Sequence, residues 1–475
     1  MSEQIHWRNF VAGEWRDAEH HIEVEDPSTG EVFATIACAS NADIDDAMLA
    51  ARACVNRGEL TRHRPLERAA LLRRIAREIE QMVEQGGALL ARENGKSLAD
   101  AQEEFAIAAR YFDYYAGMAD KIEGTSIPLG EDYIDFTTYE PMGVSVQIVP
   151  WNFPVDICAR SLAPALAAGC AVVVKSPENT PLAITMIATA CQRAGLPEGA
   201  LSIVCGYGHE VGAALVAHHE VDQIVFTGSV PTGQSILRAA AERATPCVME
   251  LGGKSAAVVF ADADLDSLMD SVRWGIFFNG GQVCSAMSRM LVQRDIYDQV
   301  LERVAAFAEQ MASDSENFTP LISAQQKQRV LAMCQRASLD GARLLTGGEA
   351  QTRVGHFVAP TVFADVAPGS ELFCQEVFGP VLAITPFDTE DEAFALANAT
   401  DYGLVAGVFT RDLGRAMRAS RALQAGQVFV NEWYAGGIET PFGGIGMSGF
   451  GREKGQEALY SYVRTKNVAI RVPKA

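Results

Sequence analysis

The sequence predicts an α/β protein with parallel sheets, and two observations support that prediction. Over residues 144–228, helix-sized stretches alternate with short apolar runs: VSVQIVP, AVVVKSP, LSIVCG and QIVFTG. From residue 251 to about 440 the same alternation returns, in SAAVVF, SRMLVQ, VLAITPF, AGVFT and GQVFVN. Apolar strands separated by helices are typical of βαβ units, so we expect two sheets built in this way.

The flanking segments predict different elements. Short strands with turn residues between them are expected in HWRNFVAGEWRDA and HIEVEDPSTGEVFATIAC. The apolar residues of LERAALLRRIAREIEQMVEQ recur at helical spacing, and a long helix is expected from about Leu98 to Ala119. Residues 121–141 are turn-rich and extended, and the terminal ALYSYVRTKNVAIRV also has a strand-like pattern.

Composition narrows the class of protein. The chain has 475 residues, 48% of them hydrophobic and 21% charged, which fits a globular protein with more than one core. A net charge of -21 argues against a nucleic-acid or anionic-membrane partner. No apolar run is long enough to cross a bilayer, and the polar N-terminus lacks the apolar region of a signal peptide. Ten cysteines without a CxxC pair favour a reducing cytoplasm over a disulfide scaffold.

Several patterns resemble ligand sites and are rejected on spacing. GYGHEVG at 206–212 spaces its glycines GxGxxxG, which favours a tight turn before a helix over a dinucleotide fingerprint. His209-Glu210 does not extend to HExxH, and His218-His219 has no nearby ligand set. DADLD at 262–266 has Ser267 where a calcium loop needs glycine, so its aspartates are expected to cap a helix. The sequence therefore predicts no metal site.

Three separated segments carry candidate catalytic groups: Cys284 in FFNGGQVCSAMSR, Glu250 in MELGGK and Asn152 in QIVPWNFP. A thiol can attack a carbonyl, a carboxylate can activate water against the thioester, and an amide can stabilise an oxyanion. Each residue also has an ordinary interpretation: a buried cysteine, a salt-bridged glutamate and a turn-capping asparagine.

Further segments are candidates for binding a nucleotide. VVVKSPENTP follows a strand, and FTGSVPTG stands at a strand–helix junction whose N–H groups suit a pyrophosphate. QEVFGPV and the glycine-rich PFGGIGMSGFGREKG follow later in the chain.

Taken in order, these six motifs resemble the NAD(P)-dependent aldehyde dehydrogenase superfamily over nearly the whole chain. The resemblance implies that Cys284 is the nucleophile, Glu250 activates the deacylating water, Asn152 holds the oxyanion and Glu453 relays protons. It implies a cofactor site made of Ile148, Trp151, Lys175, Glu178, Gly228, Ser229, Gly233, Leu251, Glu376 and Phe378. NAD is expected rather than NADP, because the Glu178 carboxylate would accept bonds from ribose hydroxyls and repel a 2′-phosphate. The family more often has proline before the small residue where this chain has Ser176-Pro177.

The substrate is less constrained by the resemblance than the reaction. Candidate substrate contacts are Arg160, Phe153, Phe278, Ser285 and Trp433. Semialdehyde dehydrogenases carry an arginine at the place of Arg160, whereas Phe278 stands where the succinate semialdehyde enzymes have a second one. Betaine and amino-aldehyde enzymes resemble GQVCSA but usually have tryptophan in place of Arg160. We expect a hydrophobic or aromatic aldehyde; the alternatives are a succinate-semialdehyde-type or betaine/amino-aldehyde dehydrogenase, and a catalytically silent structural protein of the same fold.

The resemblance also implies a domain order. A Rossmann-like cofactor-binding domain is expected over residues 1–120 and 142–249, and an α/β catalytic domain over 250–440. A small β oligomerisation arm is expected from residues 121–141, and residues 441–475 return to the cofactor domain and end in an oligomerisation strand. This arm predicts a homodimer or homotetramer.

Overall fold

The fold is seen in a computed structural model that describes residues 5–62, 64–313 and 318–473. Its strands are β1 (Ile5–Trp7), β2 (Asn9–Val11), β3 (Glu14–Arg16), β4 (His21–Asp26), β5 (Glu31–Ala37), β6 (Ser126–Ile127), β7 (Tyr133–Pro141), β8 (Val144–Ile148), β9 (Ala171–Ser176), β10 (Leu201–Cys205), β11 (Gln223–Thr227), β12 (Cys247–Glu250), β13 (Ala256–Val259), β14 (Arg289–Gln293), β15 (Arg343–Thr346), β16 (Thr361–Ala364), β17 (Val381–Phe387), β18 (Tyr402–Gly403), β19 (Val405–Phe409), β20 (Gln427–Val430), β21 (Ile445–Gly446), β22 (Gly449–Phe450) and β23 (Val463–Arg471).

The α-helices are α1 (Asn41–Arg57), α2 (Pro65–Glu80), α3 (Val83–Asn94), α4 (Leu98–Met118), α5 (Pro154–Ala168), α6 (Leu182–Arg193), α7 (Ala213–Ala217), α8 (Val230–Ala241), α9 (Leu265–Val272), α10 (Tyr297–Ser313), α11 (Ala324–Leu339), α12 (Glu371–Cys374), α13 (Glu390–Ala397), α14 (Leu413–Ala422) and α15 (Gly455–Tyr460). Asp264 caps α9 by accepting bonds from the Asp266 and Ser267 N–H groups, as predicted for DADLD. None of the described helices combines the length and the apolar character needed to cross a membrane.

The first large sheet has the order β22-β12-β11-β8-β9-β10-β2-β3 among the described strands. From β12 to β10 neighbouring strands are parallel, and four of these strands, β8 to β11, are the ones that the alternating pattern predicted. The chain runs outward from β8 through β9 to β10, and then returns to add β11 and β12 on the other side of β8. The order therefore reverses between β8 and β11, which is where open α/β sheets bind their ligands.

The second large sheet has the order β15-β16-β17-β14-β13-β19-β20 and is parallel except for the pair β15–β16. Side chains alternate between its two faces, as the period of a strand requires. Ala257 and Val259 join one apolar cluster, whereas Ala256 and Val258 join another on the opposite face. Both faces of β13 are thus covered, which explains why this strand is apolar throughout.

Strands β23, β7 and β6 form a separate antiparallel sheet. The pairing of β23 with β7 runs from Val463 opposite Pro141 to Arg471 opposite Tyr133. Much of this sheet is exposed, including the apolar Ile134 and Ile470. The strand-like interpretation of ALYSYV was wrong at its start, because Ala458 and Leu459 lie in α15, which packs on α5.

Candidate active site

The candidate catalytic residues meet at the carboxyl edge of the first sheet. Asn152 follows β8, Ser229 follows β11 and Glu250 ends β12. These three strands are neighbours in the sheet, so their ends lie side by side at the reversal point. Residues far apart in the sequence are thereby brought to one cleft.

The turn that carries Asn152 is held by a buried ion pair that sequence reasoning missed. Lys96 pairs with Glu104 and also donates to the Asn152 carbonyl at 3.1 Å. Glu104 accepts the Val155 and Asp156 N–H groups at 2.9 and 3.1 Å, and so caps α5, whose N-cap residue offers no side-chain bond. Glu104 is therefore a fixed anchor for the turn.

The loop before Cys284 has an unusual backbone. Asn279, Gly280 and Gly281 all have positive φ, at 50°, 62° and 71°. A Cβ on Gly281 would lie 2.2 Å from the Gly379 carbonyl oxygen, so only glycine fits. The amide of Asn152 donates to the Gln282 carbonyl at 2.9 Å and ties the two segments together. The predicted oxyanion donor thus lies beside the cysteine loop.

The two glycines after Glu250 also make room for close contacts. A Cβ on Gly252 would lie 2.4 Å from the Glu376 carboxylate, and one on Gly253 would lie 2.5 Å from the Cys284 carbonyl oxygen. Glu376 accepts the Gly253 N–H at 3.0 Å. The MELGGK, cysteine and QEVFGPV segments are therefore packed against one another through backbone atoms.

Cys284 lies where two cavities meet. One, of about 250 Å³, is lined by Trp151, Asn152, Ser229, Glu250, Glu376 and Phe378, together with Cys284. The other, of about 490 Å³, is lined by Phe153, Arg160, Phe278, Ser285, Tyr434 and Phe442, again together with Cys284. We call the first the cofactor-side cavity and the second the aldehyde-side cavity. Cys284 is a lining residue that both cavities share.

Burial raises the pKa of the Cys284 thiol to about 12, although the Arg160 guanidinium lowers it. The nearby carboxylates of Glu376 and Glu250 raise it further. A thiol in this environment is protonated at neutral pH, so its proton must leave before or during attack on a carbonyl.

Two buried carboxylates, Glu250 and Glu453, lie near one buried guanidinium. Arg160 Nη2 and Glu453 Oε2 are 2.5 Å apart, and the exposed fractions of the two residues are 7% and 2%. Burial raises the pKa of Glu250 well above its usual value, and Glu453 raises it further, whereas Arg160 lowers it. Neither Glu250 oxygen has a hydrogen-bond partner among the described residues. The two carboxylates differ in that Glu453 is paired with Arg160, whereas Glu250 has no ion pair among the described residues.

Most of the predicted cofactor residues lie along the same sheet edge, whereas Glu376 and Phe378 precede β17 of the second sheet. Lys175, near the end of β9, forms an ion pair of 2.5 Å with Glu178, which follows the strand. Ser229 caps α8, and a Cβ on Gly233 would lie 2.6 Å from Leu251. Trp151 and Phe378 pack edge to face at 5.3 Å. Lys175, Glu178, Gly233 and Ile148 do not line the cofactor-side cavity, whereas Gly228, Ser229, Leu251, Glu376 and Phe378 do.

GYGHEVG lies at this edge as well. Its Gly208–Gly212 segment is a single π-helical turn between β10 and α7, which agrees with a turn before a helix. A backbone hydrogen bond from Gly208 is among the causes that hold the pKa of Glu178 below its ordinary value, against the effect of burial, with Lys175 contributing more. Sequence spacing did not indicate this contact, because it depends on the pairing of β9 with β10.

The aldehyde-side cavity corrects one predicted contact. Phe153 and Phe278 stack with ring centroids 5.9 Å apart and line the cavity, as does Ser285. Trp433 does not line it: the indole is buried in the core and donates to the Ser285 carbonyl at 3.1 Å. Its neighbour Tyr434, which has a positive φ of 67°, lines the cavity instead. Trp433 thus supports the cysteine loop from behind.

Comparisons with known proteins agree with this geometry. A putative aldehyde dehydrogenase from Burkholderia cenocepacia superposes with a TM-score of 0.94 at 45% identity, covering 98% of this chain and 100% of that one. The NAD+ complex of an aldehyde dehydrogenase from Bacillus cereus gives a TM-score of 0.96 at 37% identity, covering 99% and 97%. The betaine aldehyde dehydrogenase of Cereibacter sphaeroides is 43% identical over 451 residues, which are 94% of this chain and 92% of that protein. The model of the aldehyde dehydrogenase family matches residues 15–468. The chain therefore belongs to the aldehyde dehydrogenase family, and it is an oxidoreductase of the kind for which an NAD+ complex is known.

Proposed function

We propose that this enzyme oxidises a hydrophobic or aromatic aldehyde to the free acid through a thioester on Cys284, with NAD as the acceptor. The observation that carries the proposal is the position of Cys284 between two cavities. An aldehyde in one cavity and a nicotinamide in the other would both reach the same sulfur. A structural protein of the same fold would not need this arrangement.

Addition of the thiol to the aldehyde gives a thiohemiacetal, and the negative charge develops on its oxygen. The Asn152 side chain supports the oxyanion role because its amide carries two N–H donors and only one is used by Gln282. The Lys96–Glu104 pair holds the turn in place before substrate arrives. A donor that is already positioned costs no reorganisation during the reaction.

The cofactor-side cavity suits a dinucleotide. Ser229 caps the start of α8, whose positive end favours a phosphate, and Glu376 lines the cavity together with Cys284. When bound, the nicotinamide accepts the hydride that leaves the thiohemiacetal carbon. The Glu178 carboxylate, with its lowered pKa, is ionised and would oppose a 2′-phosphate, which favours NAD over NADP.

Glu250 is the proposed base for hydrolysis of the thioester. Its carboxylate lacks a hydrogen-bond partner among the described residues and can therefore accept a proton from water. Arg160 balances the charge of Glu453, so Glu453 is the better ionised of the two and can pass protons onward. Because burial raises the pKa of Glu250, hydrolysis should become faster as pH rises and this carboxyl loses its proton.

The aldehyde-side cavity supports an apolar substrate. Its walls include Phe153, Trp274, Phe278, Phe429 and Phe442, and aromatic walls suit an aromatic or unsaturated chain. Arg160 is paired with Glu453, so binding a substrate carboxylate there would require a buried ion pair to break. This contact disfavours the succinate-semialdehyde alternative.

A cationic aldehyde is the second candidate, and two observations favour it. The Cereibacter sphaeroides relative is a betaine aldehyde dehydrogenase. Asp100 and Glu103 also line the aldehyde-side cavity, and aromatic faces attract quaternary ammonium groups. Arg110, Arg160 and Lys454 line the same cavity and oppose a cation.

A substrate panel tests these alternatives. NADH formation is measured with benzaldehyde, hexanal, betaine aldehyde and succinate semialdehyde, each at matched concentration with NAD and then with NADP. We expect the highest kcat/KM for an apolar aldehyde with NAD. A higher kcat/KM for betaine aldehyde would favour the cationic alternative. If none of the four aldehydes is oxidised, the result would favour a catalytically silent structural protein.

The predicted oligomer rests on the arm of β6, β7 and β23. Its exposed apolar residues Ile134 and Ile470 support a role in pairing subunits, for which we propose a homodimer or homotetramer. Light scattering would give the mass of the assembly. The predicted cytoplasmic location stays a prediction.

A further inference from the structure

Three exposed side chains meet on the outer face of the N-terminal sheet, far from Cys284 in the sequence. This sheet has the order β1-β5-β4. Its inner face carries Ile22, Val24, Ala34 and Ile36, which form a small buried cluster. The outer face carries His6 on β1 and His21 on β4, and Asp17 follows β3 nearby.

The register of the strands brings the two imidazoles to the same face. His6 is opposite Thr35 and His21 is opposite Ala37, and residues 35 and 37 of β5 point to one side of the sheet. The short side chains of Thr35 and Ala37 allow the two rings to approach across β5. The ring centroids of His6 and His21 are 4.4 Å apart and the rings meet edge to face.

Asp17 joins the two histidines. Its Oδ1 lies 2.7 Å from His6 Nε2 and 3.0 Å from His21 Nε2. One candidate ligand atom from each residue lies within 4.8 Å of the other two. His6 Nδ1 lies 3.0 Å from Thr35 Oγ1, a second contact that fixes the ring so that Nε2 faces Asp17. Metal-ligating histidines commonly have their other nitrogen fixed in this way.

We propose that His6, Asp17 and His21 bind one divalent ion of the zinc and nickel class. Two imidazoles and a carboxylate are a ligand set that such ions accept, and a water molecule can complete the coordination at an exposed site. The ion would replace the direct contacts between Asp17 Oδ1 and the two Nε2 atoms. The sequence predicted no metal site, because these residues match no ligand motif and meet only through strand pairing.

The site would link strands that are not neighbours. β1 is three residues long and pairs only with β5 among the described strands. An ion held by His6 and His21 would connect β1 directly to β4 across β5. The role we assign to it is therefore to fasten the N-terminal strand, independently of the oxidation at Cys284.

Ni²⁺ is the preferred probe, because the thiols of Cys38, Cys247, Cys284 and Cys374 are partly accessible and would compete more strongly for softer ions. The full chain is titrated by calorimetry, and so are H6Q, H21Q and D17N. Glu23→Gln is the matched control, since Glu23 is an exposed acid on β4 opposite Thr35 but contributes no ligand. We expect one equivalent of Ni²⁺ in the full chain and in Glu23→Gln, and loss of that equivalent in each histidine variant.

Thr35→Val tests the support of His6. Removing a contact to the second nitrogen of a ligating histidine weakens metal binding by about 10-fold or more, so affinity should fall while one equivalent is still bound. NADH formation should be the same in all of these variants, which also shows that they are folded. Equal Ni²⁺ uptake by the full chain and H21Q would overturn the proposal. So would the absence of uptake by the full chain, or equal loss in Glu23→Gln and H21Q.

Discussion

The two cavities that meet at Cys284 are built in different ways. The cofactor-side cavity is lined largely by turns that follow strands, Gly228 and Gly252 among them, and a Cβ on Gly252 would meet the Glu376 carboxylate. The aldehyde-side cavity is lined mostly by side chains from α4, α5, the segment before Cys284 and the segment around Tyr434. One side depends on backbone shape and the other on the size of side chains.

This difference explains why the reaction could be inferred more closely than the substrate. Backbone turns that need glycine leave a fixed pattern of glycines in the sequence. An apolar wall can be made from many combinations of side chains, so it leaves no comparable pattern. Substitutions on the cofactor side should therefore affect every aldehyde, and those on the aldehyde side should discriminate among aldehydes.

The largest effect is expected at the sulfur shared by both cavities. Cys284→Ala should reduce NADH formation to background for every aldehyde, because no thiohemiacetal can form. Binding of NAD, followed by protein fluorescence, should be retained. Substantial turnover by this variant would show that the nucleophile has been misassigned.

Glu250→Gln should separate the two chemical stages. The first turnover should still release one NADH per active site, while the steady-state rate falls by about 10²–10⁴-fold because the thioester is no longer hydrolysed efficiently. Stopped-flow absorbance measures both phases. The fast release of NADH in the first turnover is the burst. If the burst rate and the steady-state rate fall together, Glu250 acts before hydrolysis and its proposed role is wrong.

Asn152→Ala should weaken the first stage instead. Loss of one oxyanion donor reduces kcat by about 10²–10³-fold, so the burst itself should slow. The variant should still bind NAD, which serves as its control. An unchanged burst rate would mean that the Asn152 amide serves only to hold Gln282.

Phe278→Ala tests the aldehyde side. Removing the ring that stacks on Phe153 should lower kcat/KM by about 10-fold for an aromatic aldehyde and leave acetaldehyde nearly unaffected. Phe378→Ala is the matched variant on the other side and should change the KM for NAD instead. Equal losses for all aldehydes in Phe278→Ala would contradict the division between the two cavities.

The smallest expected effect is a shift in a pH profile. Glu453 raises the pKa of Glu250 and Arg160 lowers it, so Glu453→Gln removes a repulsion and leaves an attraction. The pH at which hydrolysis gains speed should therefore move downward. Steady-state rates measured across pH in both proteins provide the test, and an upward shift would contradict the proposed charge balance.

Much of the fold followed from local patterns. The parallel strands β8, β9, β10 and β11 and, in the second sheet, β13, β14, β17, β19 and β20 were predicted because buried strands are apolar and alternate with helices. The start of the last segment was not predicted, because Ala458 and Leu459 enter α15 only through packing on α5. Similarly, the helical spacing of LERAALLRRIAREIEQMVEQ predicted one continuous helix. In the structure α2 ends at Glu80 and α3 begins at Val83, with Met82 between them.

At the site, the sequence indicated the groups but not their partners. Cys284, Glu250 and Asn152 were recognisable from their glycine-rich or proline-flanked segments. Trp433 and Tyr434 are adjacent aromatics, and only the backbone conformation decides that Tyr434 faces the cavity. Arg160 could have faced a substrate carboxylate, but tertiary packing pairs it with Glu453, nearly three hundred positions away.

The sequence by itself determined the α/β class and indicated Cys284, Glu250 and Asn152 as the proposed nucleophile, base and oxyanion donor, because both depend on residue types within short segments. Tertiary structure alone decided that Glu104 anchors the Asn152 turn, that Arg160 neutralises Glu453, and that His6, Asp17 and His21 meet. Each of these contacts joins residues on different elements. Their distances depend on strand register and helix packing, which the order of residues within any one segment does not specify.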